Sequence, residues 1–359
     1  MTLMKRLSGR ALPRVMLCCL VTIAWVTPVS AAGNASARAG DMAGDMATDN
    51  RLQVVVTTSI IEDVVLQVAG SSIDVVALIP RGRTPHSYEP PPSAYRSLET
   101  ADIVFVNGFG LEEGLLDTIA SVATGQVVSV SRDLSATLDP GAAETHDADH
   151  DASGADTHDA VAADTHAVPG SHSHLENPHV WMDPTNVIVW VRTIVDVLSE
   201  AVEPNAGEFR QAGDQYIARL TELDRDIERQ VSGLSPSQRR LGADHDSISS
   251  FADRYGFEVI GTVLPGMSDS AEPSAAQVSG LVDHFREHPV ALIMVGESAS
   301  RGTRLLVDAI ARDAGGSGKA IPVVHILTGT LAASGSPGDT YLGMMSLNLD
   351  RILNGLEVR

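Results

Sequence analysis

From Leu52 onward the chain moves between two hydrophobic rhythms. Residues 53–57 (QVVVT) form a short β-branched apolar run, the pattern of a strand buried on both faces. Residues 60–68 switch to helical spacing and stop before Gly70, a residue suited to the turn that ends a helix. Residues 74–79 (DVVALI) predict a second strand closed by Pro80, residues 93–100 a helix, and residues 103–106 (IVFV) a third strand running into Asn107-Gly108. Strands alternating with helices predict parallel βαβ units, in which ligands sit beyond the carboxyl ends of the strands. The second half repeats the rhythm. Residues 257–262, 290–295 and 321–327 read as strands, and residues 273–287, 301–314 and 341–356 as helices.

Two stretches depart from this alternation. Phe209, Ala212, Tyr216, Leu220, Leu223, Ile227 and Val231 recur at steps of three and four, which predicts an amphipathic helix of roughly 27 residues, about 40 Å long. That is long for a helix inside one small domain and suits a backbone joining two lobes; periodicity alone also allows an ordinary core helix. Residues 141–176 carry His146, His150, His158, His166, His172 and His174 among Asp, Ala, Gly and Ser, with almost no large apolar residue. Such a tract is too polar to pack and reads as a disordered insertion able to hold metal weakly.

The N-terminus reads as an address. Lys5, Arg6, Arg10 and Arg14 precede an apolar run over residues 15–26, and Val29-Ser30-Ala31 supplies the small residues of a cleavage site, so residues 1–32 are expected to be a signal peptide cut near Ala31. Residues 33–50 read as a flexible leader. Cys18 does not read as a lipoprotein cysteine, since Leu17 precedes it where a small residue is expected. Export changes the chemistry that remains. Cys18 and Cys19 are the only cysteines, so the mature chain keeps neither thiolate nor disulfide, and any metal site must use nitrogen and oxygen donors. Losing four basic and no acidic side chains takes the formal charge from −21 to −25. A chain this acidic argues against nucleic acid or an anionic membrane surface as partner. The expected location is the periplasm.

Outside the tract six histidines remain. His86 lies in a polar loop after a strand (RGRTPHSYEP), His179 at a strand-to-helix junction after Pro178, and His245 just before a helix expected near Asp246. All three occupy the kind of loop in which an α/β fold builds its sites. His284 and His288 share one exposed helix and read as surface; His325 falls within a strand. Three imidazoles make most of a tetrahedral zinc shell and leave one position for a carboxylate or water. Neither a phosphate-binding glycine loop, a nucleophile elbow nor HExxH occurs.

In order along the chain come RTPHSYEP (83–90), ADIVFVNGFGLE (101–112), NPHVWMDP (177–184) directly after the histidine-rich insertion, His245-Asp246 with Phe251 and Arg254-Tyr-Gly256, Glu272-Pro-Ser274 to Val295-Gly-Glu297, and GDTYLGMM (338–345) with Asn348. This series, spanning nearly the whole mature chain, resembles the zinc- and manganese-binding solute receptors of ABC transporters. The resemblance implies two doubly wound α/β lobes with parallel sheets, joined by one long rigid helix, with metal in the cleft between them. It assigns residues 51–203 to the first lobe, 204–233 to the connecting helix and 234–359 to the second lobe. His86 and His179 would come from the first lobe and His245 from the second. It also implies a monomer that delivers metal to a membrane permease driven by a cytoplasmic ATPase.

In many such receptors an aspartate after the last strand is the fourth ligand; here Gly329 stands at that place. Glu89, Glu112 and Glu297 are the candidates for a substitute ligand or for a contact that orients a ligand imidazole. A three-histidine site without that aspartate favours Zn2+ over Mn2+, which prefers oxygen donors; imidazole also suits copper and nickel. Two readings of other classes stay open. One is a periplasmic zinc buffer working through the 146–174 tract, the other a hydrolase or hydratase with a three-histidine zinc and one of those glutamates as base.

Overall fold

The structure is a computed structural model that describes residues 51–86, 88–134, 177–266 and 272–357. The signal peptide, the leader and the histidine-rich insertion expected above lie outside the described residues. The first lobe is built from β1 (Gln53–Val56), α1 (Ser59–Ala69), β2 (Asp74–Ala77), α2 (Pro92–Glu99), β3 (Ile103–Val106), α3 (Glu113–Val122) and β4 (Gln126–Ser129). All four strands are parallel and lie in the order β2-β1-β3-β4. Helix α4 (Pro184–Ala201) and helix α5 (Ala206–Val231) follow.

The second lobe repeats the design with β5 (Arg240–Ala243), α6 (Ser249–Tyr255), β6 (Glu258–Thr262), α7 (Ala275–Glu287), β7 (Leu292–Gly296), α8 (Arg301–Ala314) and β8 (Val323–Ile326), closed by α9 (Tyr341–Glu357). Its order, β6-β5-β7-β8, is the order of the first sheet over again, and it too is parallel throughout. The fold class is therefore the one the sequence suggested, two doubly wound α/β lobes.

Side-chain alternation explains why the central strands β1, β3 and β7 carry runs of consecutive apolar residues. In a strand successive side chains face opposite ways, so a sheet covered on both faces needs apolar residues at every position. Val54, Val56, Ile103 and Phe105 face one way, and Val55, Val104 and Val106 the other, into a core of the first lobe alone. Leu292 and Met294 join the same cluster as Val54, whereas Ile293 and Val295 face a core private to the second lobe. One apolar core thus runs through both lobes, and each sheet keeps a smaller core on its other face.

Helix α5 is what lets that shared core form. Its 26 residues span about 39 Å, and Phe209, Tyr216, Leu220, Leu223, Ile227 and Val231 are all buried. It lies along α4 and α1 and reaches α6 and α9 of the second lobe. Gly213 permits the close approach to α4, where a Cβ would stand 2.5 Å from Val195 Cγ2. Asp224 fastens the helix to the second lobe, accepting from Arg254 Nε at 2.9 Å and from the Tyr255 hydroxyl at 3.0 Å.

The structure adds elements that hydrophobic pattern did not predict. Strand β5 (Arg-Leu-Gly-Ala) carries a single large apolar residue, yet it is the central strand between β6 and β7. Strand β4 and helix α3 were likewise unmarked. The helix expected near Asp246 starts at Ser249, because the Asp246 carboxylate accepts from the Ser249 hydroxyl in the preceding turn.

Candidate metal centre

The carboxyl ends of both sheets meet in the cleft, and three histidines reach it from three loops. His86 belongs to the turn between β2 and α2, where its backbone N–H lies 3.4 Å from Thr84 Oγ1. That loop is moored to the second lobe: Gly82 N–H donates to Thr330 Oγ1 at 2.9 Å, and Arg81 pairs with Glu62 at 3.2 Å while donating to the carbonyl of Asp339.

His179 opens a short 3-10 turn, Val180–Met182, that leads into α4. Asn177 Oδ1 accepts from both its backbone N–H (3.0 Å) and its Nδ1 (2.9 Å). Asn177 Nδ2 in turn donates across the cleft to the carbonyl of Asp246 at 2.9 Å. Trp181 lies 5.3 Å from the His179 ring, centroid to centroid, and its indole N–H donates to the Thr328 carbonyl at 2.6 Å.

His245 follows β5 directly. Asp244 Oδ1 accepts from its backbone N–H at 2.8 Å and its Nδ1 at 3.0 Å, and Oδ2 accepts from Gly296 N–H at 2.8 Å. A carboxylate or amide oxygen can only accept, so Nδ1 carries the proton in both His179 and His245, and each Nε2 is left with its lone pair.

These lone pairs converge. One ring nitrogen from each of His86, His179 and His245 lies within 4.8 Å of the other two, and the Nε2 atoms of His86 and His179 are 2.9 Å apart. Among the described residues this is the one group of three or more histidine, cysteine or acidic side chains close enough to hold an ion. His245 Nε2 is buried with no hydrogen-bond partner, a costly condition for a polar atom unless it serves a ligand. Burial, and then the positive charge that His245 or His86 would carry, hold the His179 imidazole well below its ordinary pKa, so it stays neutral and ready to donate its lone pair. The cavity beside the three rings has a volume of about 10 Å3 and is bordered by Thr84, Asp244, Ser298, Thr328 and Gly329, room for one water-sized group.

The three candidate glutamates are placed elsewhere. Glu89 is exposed, and Glu297 is half exposed and paired with Arg351 at 2.7 Å. Glu112 is buried but its oxygens are already engaged: it accepts from the Thr57 hydroxyl and Asn107 N–H, each at 2.6 Å, and from Gly108 N–H at 3.2 Å. Burial pushes its carboxyl above the usual range in spite of those donors. Its contribution to the centre is indirect, through Asn107, whose side-chain amide donates to the Pro178 carbonyl next to His179 at 3.0 Å. The residues that sequence reasoning passed over are Asn177 and Asp244. Each stands one or two positions before a candidate histidine, a local signal that could have exposed them. The six histidines of residues 146–174 lie outside the described residues. No helix among the described residues is long and apolar enough to cross a membrane.

Comparison with known proteins gives a consistent frame. The family described as "Zinc-uptake complex component A periplasmic" matches residues 54–355. The chain is 28% identical over 308 residues to the manganese-binding lipoprotein MntA of Halalkalibacterium halodurans, covering 85% of this chain and 89% of that protein. It is 27% identical, also over 308 residues, to the iron ABC transporter substrate-binding lipoprotein MtsA of Streptococcus pyogenes, covering 86% and 89%. Among solved structures, the periplasmic zinc-binding protein TroA from Treponema pallidum matches with a TM-score of 0.69 at 23% identity, covering 85% of this chain and 99% of that one. A cadmium-bound periplasmic metal-binding protein from Candidatus Liberibacter asiaticus matches at 0.65 and 19% identity, covering 84% and 98%. At these identities the structural likeness bears on the fold.

Proposed function

The chain belongs to the family of the periplasmic zinc-uptake complex component A, and from that premise we propose that it captures a divalent transition metal outside the cytoplasm and hands it to an ABC permease. The observation that carries this reading is the convergence of His86, His179 and His245 on one point, with His179 oriented by Asn177, His245 oriented by Asp244, and His245 Nε2 buried without a protein partner. In this reading residues 51–203 and 234–359 are the lobes, residues 204–233 connect them, and the metal is cargo held by three imidazoles with water completing the shell. The protein is exported after cleavage near Ala31 and works as a monomer in the periplasm, with a membrane permease and its cytoplasmic ATPase as partners.

Zinc is the metal this donor set suits best. Neutral imidazole is a borderline ligand, whereas manganese prefers an oxygen-rich shell, and no carboxylate joins the three rings among the described residues. Gly329 is where a fourth ligand would enter, and a Cβ there would sit 3.0 Å from Pro85 Cδ, so a side chain would press on the residue next to His86. The family, one of solute receptors, speaks for cargo over catalysis. The space directly beside the three rings, about 10 Å3, fits a single water-sized ligand. Relatives named for manganese and iron make those metals the competitors to try.

Titration of metal-free protein with zinc, with manganese and iron(II) as competitors, tests the reading. One tight zinc per chain, lost in His86→Ala and not displaced by comparable manganese, is the expected outcome; equal displacement by manganese would overturn the zinc assignment. Removing residues 145–174 in the same assay tests the tract as a low-affinity collector. Unchanged binding at scarce metal would end that idea, and loss of nearly all binding would make the protein a buffer instead.

A further inference from the structure

We infer that His284 and His288 form a second metal site, a two-imidazole chelate for a borderline divalent cation such as Cu2+, Ni2+ or Zn2+, at the C-terminal end of α7. The two residues are four apart on one helix, the spacing that sets side chains above one another on the same face. Their ring centroids are 4.6 Å apart.

The tautomer of His284 is fixed by a defect in the sheet. Strand β6 is the outer strand, and its register with β5 passes from Val259 to Gly261, leaving Ile260 unpaired in the ladder. His284 Nε2 lies 3.2 Å from the Ile260 carbonyl oxygen. A carbonyl can only accept, so Nε2 carries the proton and Nδ1 keeps the lone pair. A ring nitrogen that donates to a backbone carbonyl while the other stays free is the usual condition of a metal-ligating histidine. His179 and His245 meet the same condition with Asn177 and Asp244.

The surroundings favour a cation. His284 lies in the last turn of α7 and His288 is its C-cap, where the helix dipole and the terminal carbonyls present negative charge. His288 is exposed and His284 half-buried, so an ion can approach and keep water as its remaining ligands. In a βαβ unit the helix runs back against its strands, which puts this end of α7 at the edge of the sheet away from the cleft. The site is separate from the three-histidine cluster and does not depend on what that cluster binds. With two nitrogens in place of three it is the weaker of the two, and copper is the ion it holds best.

The test uses the mature chain with the six histidines of residues 146–174 changed to serine, so that the tract does not compete, and follows Cu2+ by paramagnetic broadening of backbone amide signals. Broadening centred on the last turn of α7 and the middle of β6 is expected. In His288→Ala that broadening should need at least about tenfold more copper, with the circular dichroism unchanged. This variant keeps the His284–Ile260 bond, so folding is not at stake. Absence of broadening around α7, or equal broadening in His288→Ala, would overturn the site. The readout is local to α7 and stands whether or not the cleft takes metal.

Discussion

The two lobes share one strand order, and in each a buried carboxylate ties the end of the first strand to the end of the third. In the first lobe Glu112, six residues beyond β3, reaches back to the Thr57 hydroxyl after β1 and also takes the N–H groups of Asn107 and Gly108. In the second lobe the carboxylate comes from the first strand instead. Asp244, after β5, reaches Gly296 N–H at the end of β7 and uses its other oxygen to hold His245. One scaffold therefore gives two outcomes. Glu112 spends its oxygens on a loop and supports His179 only through Asn107, while Asp244 both clamps the sheet and aims an imidazole. Sharing a strand end with the cleft is not enough to make a carboxylate part of the metal centre; what decides is whether an oxygen is left to face a histidine.

Substitutions can break this contrast in graded steps. His245→Ala removes a ligand outright and should weaken zinc binding by more than about 100-fold in a competition titration, beyond the range for orienting partners. Asp244→Ala leaves the ligand but frees its ring, and a loss of about 10- to 100-fold is expected in the same assay. Glu112→Gln should act mainly on stability. It puts an amide NH2 against backbone donors, a cost of about 1–3 kcal/mol by denaturant unfolding, with affinity falling by less than about tenfold. Were Glu112→Gln to cost as much affinity as Asp244→Ala, the contrast between the lobes would be void.

A pH effect follows from the burial of His179. His179 is held well below the ordinary value of 6.5 in the folded protein, whereas the unfolded chain takes up its proton near that value. Below about pH 6.5 the unfolded state thus binds more protons than the folded one, so the metal-free protein loses stability as the pH falls. Unfolding midpoints measured between pH 7.5 and 5.5 should drop, and His179→Gln should flatten the slope. Smallest of all is Glu297→Gln. Its carboxylate is half exposed and engaged with Arg351, so zinc affinity should not change and stability should move by no more than about 0.5 kcal/mol.

Much of the scaffold was legible because parallel strands buried on both faces carry runs of consecutive apolar residues, and 54–56, 103–106 and 290–295 are such runs. Strand β5 was not, because Arg240-Leu-Gly-Ala owes its place to the neighbours on either side; Gly242 is needed where a Cβ would crowd Phe285 and Ile293 at about 3.0–3.1 Å. The three histidines were legible as loop residues near strand ends, and the resemblance grouped them in one cleft; the structure adds the distances and the partners that orient the rings. The glutamates were misleading for a physical reason. Sequence places Glu112 and Glu297 close to strand ends, but it does not reveal that backbone N–H groups and Arg351 claim their oxygens first.

Zinc-edge anomalous diffraction from crystals of the metal-loaded protein bears most directly on the central claim. The account predicts one strong peak within bonding distance of the Nε2 atoms of His86, His179 and His245, with Asp244 and Asn177 still on the far nitrogens of their rings and no carboxylate in the shell. A peak that leaves these three imidazoles unbound, or a shell completed by Glu89, Glu112 or Glu297, would contradict it.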